Sequence, residues 1–340
     1  MNWRITFFLL LTANALLNSS ATSGFTFAQD NLSVGSGTLG VLIITREGMV
    51  LAADSRTTYS NGHGHDDRAV KIFKLGNAGC MVAGTVVAPP TVGTFGFNLP
   101  KEIETIAGIP QVLDSPSVYE GYLEHRLGTA IDEGIIKVLA ADFFDDDQEI
   151  ASVLLGGYHL VKGGQPPSKI PDRYLDEAYK IKYLSRPTPS IEGGRSVLGP
   201  FNSAYSVPVR QYYVLEVAGP GPFVIFTNGN DHLLKAILHG KQSWPILTSK
   251  DRLREVDLRS VSEDPEMKSY FELKNRGQLD SMSLAQAVKL ADSLIEENIR
   301  LAGDDLGIGG QVDIATITRM EGFRWVPEHD PAIKLRQDHP

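Results

Sequence analysis

The chain has 340 residues, 42% of them hydrophobic, enough for a sizeable core in one large domain or two modest ones. Its formal net charge of −9 argues against nucleic acid as a main partner, and no run of like charge is long enough to act as a binding tail. Cys80 is the only cysteine, so no internal disulfide can form.

The first 28 residues read as a signal peptide. Arg4 supplies a positive start, Ile5 to Leu17 a short apolar run, and small residues follow, with cleavage sites after Ala21 or Ala28. The apolar run is short for a membrane span, which needs about 20 residues, and an uncleaved anchor is the alternative. Export to the periplasm or outside the cell is expected, with no stable membrane insertion after signal removal. Residues 29–37 then form a short propeptide, 38–328 the main domain, and 329–340 a tail.

Residues 37–56, GTLGVLIITREGMVLAADSR, hold the strongest local signal. The apolar run Val41 to Thr45 meets a short turn at Arg46, Glu47 and Gly48, and a second run, Met49 to Ala53, ends in Asp54. That is a β-hairpin pattern, and it returns Asp54 alongside Thr38. Strands are expected at 39–45, 48–54, 69–75 and 79–84, with Lys71 inside the third. A helix starts near Ser115, with Pro116 in its first turn, and runs toward Ala141; Asp145 to Asp147 form a solvated cap after it. Strands follow at 151–159 and 211–217 around a segment, 160–210, rich in Gly, Pro, Lys and Tyr. Such a stretch reads as a surface insertion, either covering a site and altering oligomer contacts or simply a tolerated loop. Then come a strand at 222–227 and a helix at 230–239. A long helix is capped by Ser283 and repeats Leu284, Ala287, Val288, Ala291, Leu294 and Ile295 at helical spacing. The last hairpin is 311–319 and 323–326, turning at Glu321 and Gly322. The pattern alone gives an α+β fold.

The Gly-Thr junction at 37–38, the hairpin ending in VLAAD and the SR after it resemble the start of a mature proteasome β-subunit, an N-terminal nucleophile (Ntn) hydrolase. CMVAGT at 80–85, SVLLGGYH at 152–159, the helix after Ser283 and DDLGIGGQVDIATI at 304–317 resemble later strands, helix and turn of that family in the same order. The likeness covers most of residues 37–325. It implies a four-layer αββα sandwich, with Thr38 as nucleophile, Asp54 and Lys71 as its charged partners, an oxyanion turn near Gly84 and an accessory Asp305. It also implies a peptide or protein substrate, a homo-oligomer and autocatalytic release of Thr38.

The chemistry is coherent with those residue types. A threonine hydroxyl needs a base, and an N-terminal threonine has its own α-amine, of reference pKa near 8. That amine exists only once the bond before Thr38 is cut, and Gly37, without a side chain, tolerates the strained backbone of an N-to-O acyl shift. Lys71 would favour the neutral amine and stabilise developing negative charge, and Asp54 would hold Lys71. An ordinary strand-start threonine, a purely structural Asp54–Lys71 pair and Ser36 as a rival nucleophile are the competing readings. Two departures from the family pattern stand out: FTNGND places Gly229 or Asn230 where a serine is usual, and Ile308 replaces the serine three residues after Asp305.

Three functions remain open: an exported threonine peptidase, a non-catalytic subunit of the same fold, and an Ntn amidase for small molecules. No cofactor or metal is expected. No phosphate-cradling Gly loop and no GxSxG elbow is present. His63, His65, Asp66 and Asp67 have metal-ligand chemistry but sit in a polar, Gly-rich loop that reads as solvated, and His232 and His239 read as ordinary helix residues.

Overall fold

The computed structural model describes residues 35–36, 38–59, 64–84, 86–88, 96–109, 115–134, 149–161, 173–187, 190–192, 195–197, 204–210, 217–218, 223–247 and 252–333. The expected signal peptide, most of the propeptide, the end of the tail, His63 and Asp145 to Asp147 lie outside them.

Two antiparallel sheets organise the described chain, a mixed arrangement of helix and sheet. The main strands, in chain order, are β1 (Leu39–Ile44), β2 (Met49–Asp54), β3 (Ile72–Leu75), β4 (Ala78–Gly84), β5 (Glu149–Val161), β6 (Arg173–Pro187), β7 (Ala204–Arg210), β8 (Val224–Gly229), β9 (Val312–Thr318) and β10 (Gly322–Trp325). The helices are α1 (Leu99–Ala107), α2 (Pro116–Gly134), α3 (His232–Leu238), α4 (Pro265–Asn275) and α5 (Leu284–Leu306). One sheet has the order β8-β1-β2-β9-β10 and the other β7-β6-β5-β4-β3. A small third sheet places Gly35–Ser36 between Thr57–Tyr59 and Val87–Ala88.

The apolar runs of β1 and β2 are buried on both faces, which is why they read as continuous rather than alternating. Side chains of a strand point alternately to opposite faces, and the two faces meet different partners. Val41, Ile43, Val50 and Ala52 join α3, α4 and α5 in one hydrophobic cluster. Leu42, Ile44, Met49 and Leu51 join Met81, Leu154 and Tyr158 of the other sheet in a second. A third cluster holds Cys80, Val82, Val153 and Leu155 against Leu99, Ile103, Tyr119, Leu123 and Leu127 of α1 and α2.

Missing side chains let the sheets come together. A Cβ on Gly79 would lie 2.6 Å from Phe323 Cδ2 and 2.9 Å from Leu51 Cδ1, and one on Gly156 would lie 3.1 Å from Leu42 Cδ1. The turn between β1 and β2 is closed by Thr45, whose N–H donates to the Gly48 carbonyl at 2.8 Å and whose hydroxyl donates to it at 2.9 Å. Ser283 caps α5 with a reciprocal bond from Gln286, as its sequence position required.

Several expectations change on contact with the structure. The segment 160–210 is not all loop: β6 pairs with β5 from Arg173 to Leu184 and with β7 from Ile181 to Pro187, so part of it extends the second sheet. Its Gly- and Pro-rich composition masked strands whose pairing is long-range. The strand expected at 211–217 is described only at Val217–Ala218, which pairs with β6. The helix from Ser115 passes Gly128 unbroken and is described to Gly134; residues 135–148 lie outside the described set. The sequence reading also missed α1, α4 and the hairpin Ser243–Leu247/Leu253–Asp257. Asn98 before Leu99-Pro100 and Asp264 before Pro265 were the overlooked signals, each now seen capping its helix.

Gly79→Val should overpack the space between the sheets. We expect a loss of about 1–3 kcal/mol in stability, measured by denaturant unfolding.

Candidate active site

The site is built around one carboxylate. Asp54 closes β2 and is fully buried. Its Oδ1 accepts from the Lys71 ammonium at 2.9 Å and from the Leu39 backbone N–H at 2.7 Å. Its Oδ2 accepts from the Gly309 N–H at 2.9 Å and the Arg56 N–H at 3.3 Å. Four donors from four separated segments therefore converge on it.

Lys71 lies one residue before β3 and is 2% exposed. Its ammonium also donates to the Arg56 carbonyl. Burial pulls the Lys71 pKa below the ordinary lysine value, while attraction to Asp54, the bond to it and the charge of Asp313 oppose that shift.

Thr38 is buried at the entry to β1, immediately before the Leu39 N–H that Asp54 holds. Its carbonyl accepts the Asn230 N–H at 2.9 Å. Gly229, opposite Leu39 in the β8–β1 register, has φ +73°, and a Cβ there would collide with that same carbonyl oxygen. Only glycine fits, because the strand end turns over Thr38 at van der Waals contact.

Ser36, the rival nucleophile, lies in the strand preceding Thr38, opposite Thr58, and Gly35 is opposite both Tyr59 and Val87. Gly35 and Ser36 thus run as an antiparallel strand through the small sheet. Gly84 ends β4 with φ +91°, a left-handed backbone that takes the chain out of the sheet. It is opposite Ala151 of β5.

Asp305 does not join this group. Its carboxylate is held by Arg254, at 2.9 Å from Nε and 2.6 Å from the terminal nitrogen. The reason is local: the final turn of α5, past a break at Ala302 (φ −152°), aims Asp305 at the hairpin strand bearing Arg254. The turn's contribution to the site is main-chain instead, through Gly309. Ile308 is fully buried in the helix-side cluster. Asn230, one of the two residues standing where the resemblance expects a serine, gives its side-chain amide to the Leu306 carbonyl at 2.6 Å. Asp231 accepts from Thr227 at 2.6 Å and pairs with Lys235 at 2.9 Å.

Sequence reasoning missed Arg56, Ser55 and Gly309. Arg56 pairs with Asp67, Nε to Oδ1 at 2.6 Å and a terminal nitrogen to Oδ2 at 3.0 Å, and reaches Asp304 at 3.2 Å. The Arg56 guanidinium holds the Asp67 carboxyl below its ordinary value. Ser55 accepts from the Gln311 N–H at 2.7 Å and donates to the Asp67 carbonyl at 2.5 Å. The SR after Asp54 and the Gly-Gly at 309–310 were visible signals of these contacts. Asp67, weighed as part of a metal-type cluster, has its carboxylate engaged by Arg56, with His65 3.5 Å away.

No family model matches the chain, and no curated protein does. Among solved structures, the chain is similar to Anbu (ancestral beta-subunit) from Yersinia bercovieri, at 14% identity and TM-score 0.42, covering 88% of this chain and 92% of that one. It is likewise similar to an Anbu (Gly-1) mutant from Hyphomicrobium sp. strain MC1, at 15% identity and TM-score 0.41, covering 89% and 96%. The expected membership of the proteasome β-subunit family is corrected: no family model matches the chain, and these similar solved structures are Anbu proteins.

Removing Asp54 takes the paired charge from the buried Lys71 ammonium and the acceptor from the Leu39 and Gly309 N–H groups, so Asp54→Ala should cost about 3–5 kcal/mol in unfolding free energy. Lys71→Met should cost less, since three N–H donors still satisfy the carboxylate. Urea unfolding of both variants measures the order.

Proposed function

We propose that the chain is an exported hydrolase of peptide or other amide bonds, with Thr38 as nucleophile once cleavage after Gly37 frees its amine. The observation that carries this reading is the shared oxygen of Asp54. One carboxylate atom binds both the Lys71 ammonium and the peptide N–H that follows Thr38. A buried cation is thereby fixed one acceptor away from the threonine backbone. Export rests on the sequence alone, on Arg4 and the apolar run behind it. The same reading takes the two helix-covered sheets, with their three hydrophobic clusters, as a four-layer αββα sandwich.

The steps follow from these positions. The Thr38 hydroxyl attacks the acyl carbon while its proton passes to the α-amine. Developing negative charge on the acyl oxygen faces backbone N–H groups at the Gly84 turn. The C–N bond breaks and the amine returns the proton to the leaving nitrogen. Water, deprotonated by the same amine, hydrolyses the ester and restores Thr38. Lys71, kept charged by Asp54, lowers the proton affinity of the amine by like-charge repulsion. Before activation the same hydroxyl attacks the Gly37 carbonyl carbon; the Gly37–Thr38 C–N bond breaks as the hydroxyl proton passes to the Thr38 nitrogen, and water hydrolyses the resulting ester, releasing the Gly37 carboxylate and restoring the hydroxyl. The antiparallel seating of Gly35 and Ser36 between Thr58 and Val87 supports an extended main chain at this position, in the precursor and then in a peptide substrate.

A second reading, a non-catalytic subunit of the same fold, draws on Ile308 and Asp305. A supporting hydroxyl is replaced by a buried apolar side chain, and the neighbouring carboxylate is spent on Arg254.

Thr38→Ala should abolish hydrolysis of peptide amides, and Lys71→Ala should slow it by about 10²–10⁴. Asp54→Asn should weaken activity while leaving the fold largely intact, as circular dichroism would show. Thr38→Ala with wild-type turnover would refute the assignment.

The pH profile gives an independent check. The base form of the amine is the reactive one, so kcat/KM should rise with pH through one ionisation below about 8. In Lys71→Met the like charge is gone, so the midpoint of the residual activity should move upward.

A further inference from the structure

A buried polar pair joins the two sheets beside the site. The Ser152 hydroxyl donates to Asn228 Oδ1 at 2.7 Å, and Asn228 Nδ2 donates to the Ser152 carbonyl at 3.3 Å. Both residues are fully buried. They belong to different sheets, Ser152 to β5 and Asn228 to β8. In register, Ser152 is opposite Ala83, next to Gly84, and Asn228 is opposite Gly40, next to the Leu39–Gly229 pair. Each partner thus stands one residue from an element of the site: Ser152 from the pairing of the Gly84 turn, Asn228 from the glycine that covers Thr38. The sheets are close at this point, since a Cβ on Gly229 would lie 3.3 Å from the Ala83 Cβ.

An apolar pair would fill the same space, as the neighbouring cluster of Leu42, Met81 and Leu154 does. Hydrogen bonds add direction: two bonds of opposite sense fix both the spacing and the sliding of β5 relative to β8. We propose that Ser152 and Asn228 are positioning residues that set the distance between the Thr38 nucleophile and the Gly84 oxyanion turn. The proposal rests on the threonine-hydrolase reading above. It does not place either side chain on the substrate. A clamp of this kind affects the transition state, which needs nucleophile and oxyanion donors together, more than substrate binding, which does not.

The test compares Ser152→Ala, Asn228→Leu and Ser152→Thr with wild type, using a peptide amide substrate and a peptide aldehyde that forms a tetrahedral adduct. All rates are normalised to the folded fraction, measured by circular dichroism. Ser152→Ala and Asn228→Leu should lower kcat by about 10–100-fold, as a misplacement on the order of 1 Å does. KM should stay within about twofold, and aldehyde affinity should fall in parallel with kcat. Ser152→Thr keeps the hydroxyl and should recover most of the loss. Wild-type kcat per folded molecule in the first two variants would overturn the proposal, as would a change confined to KM or a loss that Ser152→Thr shares equally. An inactive, correctly processed wild type would instead overturn the threonine-hydrolase reading and this proposal with it.

Discussion

Everything in the described core near the site answers to the buried carboxylate of Asp54. Its four donors come from residues 39, 56, 71 and 309, so a single side chain ties the start of β1, the end of β2, the approach to β3 and the turn after α5. Such a group is expensive to desolvate and adds little net stability over an apolar substitute. Its presence is better explained by direction. A carboxylate with all four bonds made admits one arrangement of its neighbours, and that arrangement fixes the backbone on which Thr38 sits and the cation behind it. Arg56 reinforces the constraint from outside: its main chain serves Asp54 and Lys71, while its guanidinium is clamped by Asp67 and Asp304.

The apolar part of the fold brings these segments to one end of the sheet stack. Leu39 is opposite Gly229, Val312 is opposite Asp54, and Gly84 is opposite Ala151, so strand ends from both sheets meet there. Burial on both faces of β1 and β2 removes freedom to slip, because a one-residue shift would exchange the side chains facing α5 with those facing the second sheet. Register and polar centre therefore depend on each other.

How much of this was legible in the sequence differs by distance along the chain. The β1–β2 hairpin was readable because two apolar runs flank a short turn, and α5 because Ser283 and Gln286 announce its start. The meeting of Thr38 and Asp54 follows from the hairpin. Lys71 needed the family resemblance, since nothing local says which carboxylate a lysine seventeen residues away will find. The strands of 173–187 and 204–210 were hidden because their pairing partners supply the pattern, and Gly and Pro between them read as loop. The pairing of Asp305 with Arg254 was not legible, because sequence spacing cannot reveal the break at Ala302 near the end of the helix. Gly309 contributes main chain alone, its N–H to Asp54 and its carbonyl to the Arg56 N–H, so the Gly-Gly at 309–310 marked a turn without naming its partners.

The central claim is that the Asp54–Lys71 centre serves a free threonine amine. The intact mass and N-terminal sequence of the protein purified from its own host test it most directly. The account predicts a mature chain that begins at Thr38. An active protein whose first residue lies upstream, with the Gly37–Thr38 bond intact, would contradict it.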